Sequence, residues 1–237
     1  EKTFWWYVAR RKIISNTMKK MNITYGKVLE LGSGTGGNVN FLSGFGHYTG
    51  VEKEQIAIDF SKSKHPNSKF IKGDLPKKLD SIEEIFDTIV LLDVLEHIEN
   101  DFLTLDKTTK LLNDNGKIVM TMPAFPSLWS NHDTIHHHFR RYTKKRLYEL
   151  CDKADLHVEY HSYFNSILFP VIVVLRLFKK IFKLNGSDEK PPSSIINTIL
   201  IRIFGLESKF IPRFSLPFGL SHIIILKKND RNENKIR

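Results

Sequence analysis

A single cysteine stands among 237 residues, so no disulfide can form within the chain and a metal cluster built on cysteines is excluded. That residue, Cys151, falls in a helix-like pattern and reads as a buried, inert thiol. No apolar run reaches the roughly 20 residues that a bilayer span requires. No internal repeat is visible, and the basic start, apolar stretch and small-residue cleavage site of a secretory signal are missing. These absences set the expectation of a reducing, cytoplasmic setting. Acidic residues are the minority, 26 against 36 Lys and Arg, for a net charge of +10. Hydrophobic residues make up 41% of the chain, which at this length is ample for one large α/β domain with an insertion.

The richest stretch is Val28-Leu29-Glu30-Leu31-Gly32-Ser33-Gly34-Thr35-Gly36-Gly37, an apolar run ending in an acid and followed by glycines. Glycine takes positive φ and lets a ligand lie against bare main chain, and Asn38 onward begins a helix whose free N–H groups face the same spot. Gly32, Gly34 and Gly37 also satisfy G-x-G-x-x-G, with Glu52 twenty residues after Gly32, the arrangement of a nicotinamide dinucleotide site. Glu30 argues against that cofactor. A carboxylate at the loop repels a pyrophosphate, yet suits a ligand that carries an ammonium and a sulfonium.

Glu30 through Gly36 resembles the first motif of the class I (Rossmann-like) S-adenosylmethionine-dependent methyltransferases, and further blocks similar to that family follow in order over residues 27 to 160. The resemblance implies S-adenosyl-L-methionine as cofactor, with Glu30, Gly32, Ser33, Gly34 and Gly36 forming the loop. It places Glu52, with Lys53 beside it, on the ribose hydroxyls, and Asp74 and Leu75 on the adenine. Asp93 and Val94, in the block Phe86 to His97, come beside the transferred methyl. Taken singly, Asp74 also reads as a turn cap, Glu52 as a solvated strand end and Asp93 or Glu96 as a cap of the helix that follows; their joint order carries the reading.

Apolar runs at 27–31, 47–52, 69–72, 87–92 and 117–122 alternate with helix-like segments, which predicts a doubly wound, mostly parallel sheet. A helix is expected from Phe4 to Lys20 ahead of the first strand. Later come a helix at Thr143 to Ala154, a strand at His157 to Tyr163 and a last strand at Ser221 to Lys227. The family sheet is seven-stranded with its last strand antiparallel, and the count fits. The expected organisation is a single domain over 1–237: an N-terminal helix over the cofactor site (1–20), an α/β core (27–163), a helical insertion before the last strand (164–215), that strand (221–227) and a flexible tail (228–237).

Charge is uneven along the chain. Residues 1–162 hold 23 Lys/Arg against 21 Asp/Glu, net +2, whereas residues 163–237 hold 13 against 5, net +8. Val171 to Leu184 gathers Arg176, Lys179, Lys180 and Lys183 on one side of a helical wheel with aliphatic and aromatic residues elsewhere. Ser194 to Leu206 is a second apolar segment, and a polar linker, Asn185 to Ser193, joins the two. Two readings stay open: a lid over the substrate, or a lid that also lies on an anionic membrane surface, as a peripheral protein at its inner face.

For catalysis, methyl transfer to a hydroxyl needs a base, and histidine suits neutral pH. The candidates are His97, after the fourth-strand block, and His132 or His136 in the run Trp129 to Tyr142, beyond the fifth strand. His132 and His136 are four apart, as metal ligands can be, but no acidic third ligand is obvious except Asp133, which points elsewhere on a helix, and no metal is expected. Arg140 and Arg141, with Trp129, are expected to receive an anionic acceptor, and Arg10 or Arg11 the methionine carboxylate. The expected acceptor is a small molecule or an amphiphile such as a lipid-linked sugar or envelope lipid, methylated on oxygen. The alternatives are a soluble small-molecule methyltransferase and a non-catalytic S-adenosylmethionine-binding protein. Nucleic acid is not expected as partner: Asp93-Val94-Leu95-Glu96 is not the N/D-P-P-Y/F pattern of base-amino methylation, and no RNA-binding module is visible.

Overall fold

The computed structural model describes residues 3–182 and 192–229. Seven strands form one sheet: β1 (Gly26–Leu31), β2 (Gly46–Glu52), β3 (Lys69–Lys72), β4 (Phe86–Leu92), β5 (Leu112–Pro123), β6 (Leu156–Phe164) and β7 (Ser221–Lys228). Their order is β3-β2-β1-β4-β5-β7-β6, with β7 antiparallel to both neighbours and the remaining pairs parallel. The predicted architecture is therefore the observed one, and strand ends differ from expectation by a residue or two, except that β5 begins earlier, at Leu112.

Alternation along the strands divides the core into two layers. On one face Leu29, Leu31, Ile89, Leu91, Ile118 and Met120 pack under α4 (Asp101–Lys110) and α6 (Lys144–Lys153). On the other, Val28, Val90, Leu92, Val119, Ile223 and Ile225 meet α1 (Trp5–Lys20), α2 (Val39–Leu42) and α3 (Gln55–Lys64). Cys151 is buried in the first layer, and burial pushes its thiol up to about 12, which keeps it protonated and inert. The chain runs outward from β1 through β2 to β3 and then returns to β4 beside β1. The crevice at the carboxyl ends of β1 and β4 is thus the topological switch point, the place where such sheets bind ligands.

The insertion follows β6. Glu207, buried in α9 (Glu207–Phe210), accepts the backbone N–H groups of Asn165, Ser166 and Ile167 at 2.7, 2.7 and 2.8 Å, which fixes where the chain leaves the sheet. Within the insertion, α8 (Ser194–Gly205) lies on α1: the Trp5 N–H donates to Asn197 Oδ1 at 2.9 Å, and Phe204 stacks on Trp6 with centroids 5.2 Å apart. The aromatic start of the chain accordingly packs against the core, with Trp5 and Trp6 half-buried. The other insertion helix, α7 (Phe169–Ile181), exposes Val171, Val174, Leu175, Phe178 and the adjoining Phe182 at 51 to 64%. Of the four cations expected on it, Arg176 turns inward and donates to the Leu128 carbonyl at 2.9 Å. The side chains of Lys179, Lys180 and Lys183, most of the expected linker and nearly all of the expected tail lie outside the described residues. Among the described residues no helix is long and apolar enough to cross a membrane.

A buried histidine pair at the β6–β7 contact makes stability depend on pH. His222 Nε2 donates to the Tyr142 carbonyl at 3.0 Å, which leaves its Nδ1 to accept from His161 Nε2 at 2.9 Å. Burial lowers His161 to about 3, with further lowering by His222 and Lys144, and lowers His222 to about 4, with Lys144 again opposing charge. Both rings are neutral when folded and bind protons more readily when unfolded. The stability they support is complete above the usual value near 6.5 and is lost as pH falls through about 4. We expect the melting temperature to hold above pH 7 and to drop between about pH 6.5 and 4. A variant with glutamine at both positions should be less stable at neutral pH and show a shallower acid slope in the same melting series.

Candidate active site

Strand alternation turns Glu30 toward the α1 face at the tip of β1, where it is 1% exposed. Its carboxylate accepts from the Tyr48 hydroxyl at 2.5 Å and from Asn38 Nδ2 at 2.7 Å. Burial, and then the Glu30 charge, push the Tyr48 hydroxyl well above its usual value, so it stays protonated and donates. Glu30 is therefore a brace beneath the loop: it joins β2 to the residue that opens α2 and sets a negative charge under the glycines.

The loop above it turns on Gly32, Gly34 and Gly36, at φ +73°, +52° and +73°; Gly37 is not among the positive-φ residues. These are the glycines of the Glu30-to-Gly36 pattern, not the full set of the dinucleotide fingerprint, and the α2 that follows has only four residues to offer a pyrophosphate. Gly32 is dictated twice, because a Cβ there would also lie 2.7 Å from a Val94 methyl. At Gly34 a Cβ would meet nothing within 4 Å, so this glycine lines an open cradle. Glu52, at the end of β2, closes one side: one carboxylate oxygen accepts from Gly34 N–H at 2.9 Å, the other from the N–H groups of Lys53 and Glu54 at 2.9 and 3.0 Å. Three fixed donors orient the carboxylate and leave lone pairs for a ligand diol. The Lys53 amine is exposed. Asp74 is exposed just past β3, with Leu75 half-buried after it.

Asp93 follows β4 in the left-handed region, φ +55°, a conformation that Asp tolerates better than most residues. It accepts from Thr121 Oγ1 at 3.1 Å and is ion-paired with Arg10 of α1. Arg10 thereby reaches the crevice. Its Nε is buried without a hydrogen-bond partner, a polar group left over beside the cradle. The donors and acceptors fit a ligand with a vicinal diol and an amino-acid end and no phosphate.

Beyond Asp93, the chain makes a short 3-10 turn over Leu95–His97, and the segment after β5, with α5 (Asn131–Ile135), folds against it; the Phe139 N–H donates to the Glu96 carbonyl at 2.7 Å. Four histidine rings gather here: His97 and His138 have centroids 4.5 Å apart, His132 and His136 4.3 Å, and His132 and His138 6.2 Å. Burial and the neighbouring His138 lower His97 to about 4, and burial lowers His132, so both are neutral bases at physiological pH. Glu96 is buried, and burial followed by the Asp93 charge raises its carboxyl well above the usual range. His136 is exposed on α5's outgoing turn, and Trp129 is exposed with its indole N–H on Thr134 Oγ1 at 3.3 Å.

The arginines differ from expectation. Arg141 Nε donates to Asp133 at 2.7 Å and its Nη1 to the Ala124 carbonyl at 3.1 Å, both inside the protein. With a side chain 4% exposed it has no face left for an acceptor. Arg140 is spent on the carbonyls of Ile98 and Glu99, at 3.0 and 2.6 Å, and on Asp101 at 3.0 Å. Sequence spacing could not show this, because the partners come from other elements. Asp133 likewise points inward, toward Ser130, His138 and Arg141, and its carboxyl is held well below the usual range by the His138 and Arg141 contacts despite burial. His138, Glu96, Asn38 and Tyr48 were not singled out as site residues by the sequence reading.

A family model described as a methyltransferase domain matches residues 6–161. No curated protein matches the chain. Among solved structures, a S-adenosylmethionine-dependent methyltransferase from Clostridium acetobutylicum is similar at 11% identity and TM-score 0.61, over 94% of this chain and 92% of that one. A SAM-dependent methyltransferase from Archaeoglobus fulgidus is similar at 19% and 0.57, over 92% and 94%. The plantazolicin methyltransferase BpumL, solved in complex with SAH, is similar at 15% and 0.60, over 95% and 85%. At these identities the likeness speaks to the fold alone.

Proposed function

Because the chain belongs to the methyltransferase-domain family, a S-adenosylmethionine-dependent transferase by family, fold and cradle alike, we propose that it methylates an oxygen of an amphiphilic acceptor such as a lipid-linked sugar or an envelope lipid. When bound, the cofactor supplies an electrophilic methyl on a sulfonium. The chain's own residues account for its retention: Glu52 would take the ribose diol, Asp74 and Leu75 the adenine, the Gly32–Gly36 backbone the amino-acid end, and Arg10 the carboxylate. Val94 closes the floor at Gly32, and the turn and the segment after β5 shield the crevice from water, which favours a step that consumes charge.

The observation that carries the acceptor reading is the apolar stripe of α7, tied by Arg176 to the Leu128 carbonyl next to Trp129 and the histidines. Four large apolar side chains of α7 and the adjoining Phe182 face solvent at helical spacing. The basic balance of residues 163–237 adds attraction to an anionic surface. His132 or His136 would take a hydroxyl proton. A packed α8 favours the simpler alternative, a lid over a small soluble acceptor, and the two readings part in one assay. We expect the chain to float with anionic vesicles, and Val174→Glu with Phe178→Glu to cut the bound fraction at least fivefold while S-adenosylhomocysteine affinity stays unchanged. Absence of flotation would leave a soluble acceptor.

A further inference from the structure

Glu96, His97 and His138 each direct one ligand-type atom into a common space, with the three atoms all within 4.8 Å of one another. Glu96 is 1% exposed and its Oε2 is buried with no hydrogen-bond partner, although a buried carboxyl oxygen without one is costly. The two imidazoles are already oriented from behind. His138 Nδ1 lies 3.0 Å from Asp133 Oδ1, so the carboxylate holds that nitrogen protonated and leaves Nε2 bare. His97 is hydrogen-bonded to the backbone of His136. A carboxylate behind one histidine and a carbonyl behind the other is the outer-shell arrangement that fixes metal-binding imidazoles.

We propose that Glu96, His97 and His138 bind one divalent transition cation, with Asp133 positioning His138. Two imidazoles and a carboxylate suit zinc or iron, and cobalt as their stand-in, better than calcium or magnesium. Three protein ligands leave coordination positions open, as catalytic rather than structural sites do. His97 is the solvent-accessible member of the set, and Glu96 is its buried one. The cluster begins three residues after Asp93, so an acceptor hydroxyl bound to the cation would sit at the crevice; this role, unlike the binding itself, rests on the proposed methylation of oxygen. There the bound hydroxyl is more acidic and gives its proton to His132 or His136 more readily. The oxygen then bonds to the methyl carbon, and the electrons of the broken carbon–sulfur bond stay on sulfur.

The test uses the full, untagged chain, stripped with chelator and titrated calorimetrically with cobalt(II) and zinc(II), with metal content checked by elemental analysis. One equivalent per chain is expected. Glu96→Gln, His97→Ala and His138→Ala should each weaken binding at least tenfold, and His157→Ala, on the far side of the sheet edge, should not. His97→Ala alters an exposed side chain and keeps the test valid if a buried variant fails to fold. Less than a tenth of an equivalent bound, or binding that survives Glu96→Gln and disappears with His137→Ala, would overturn the site. S-adenosylhomocysteine titrated in parallel separates the outcomes: nucleoside binding without metal sinks only this inference, and neither binding sinks the function as well.

Discussion

Glu52→Ala is expected to weaken S-adenosylhomocysteine binding by about 10²- to 10⁴-fold, since two charge-assisted hydrogen bonds to a diol are worth roughly 1.5–3 kcal/mol each. The fold should survive, because Glu52 sits at the open end of β2 and its protein partners are three backbone N–H groups that water can reach. Gly34→Val should have an effect of similar size for a different reason. Valine at φ +52° is strained, and its side chain would project into the cradle, where nothing of the protein lies within 4 Å of the added Cβ. A pair of calorimetric titrations reads both. If either variant bound as well as the parent chain, the cradle would have been placed wrongly.

Asp133→Ala should be the most damaging single change to stability, at about 3–5 kcal/mol, because it strands a buried guanidinium. Arg141 would lose its ion-pair partner at 4% side-chain exposure, and the capping box between Ser130 and Asp133 that starts α5 would open as well. Against the roughly 5–15 kcal/mol that holds a typical domain, that is a large fraction. Replacing Arg141 by methionine in the same chain removes the stranded charge, so the double variant should recover part of the loss. Chemical denaturation of the parent, the two single variants and the double variant gives the coupling directly. Additive losses would mean that the pair does not act as a unit.

These effects show where the sequence is legible and where it is not. Short apolar runs and the turn into Gly32 carry their own signal, so β1 to β5 and the crevice follow from local pattern. Glu52 is legible too, because a strand end fixes its place. Arg10 and Arg11 are adjacent and chemically alike, and only the docking of α1 on the sheet decides which one meets Asp93. The roles of Asp133, His138 and Arg141 depend on a loop closing over the Leu95–His97 turn, a long-range contact that spacing alone does not encode. The apolar letters of α7 were visible, but that Arg176 turns back to Leu128 was not, since a helical wheel assigns every cation to solvent.

Everything rests on the braced glycine bend accepting an adenosyl donor that carries no phosphate. Titrating the purified chain with S-adenosylhomocysteine and, separately, with a nicotinamide dinucleotide tests this most directly. The account predicts one saturable site for the first and no heat from the second. Silence with the first, or saturation with the second, would contradict it.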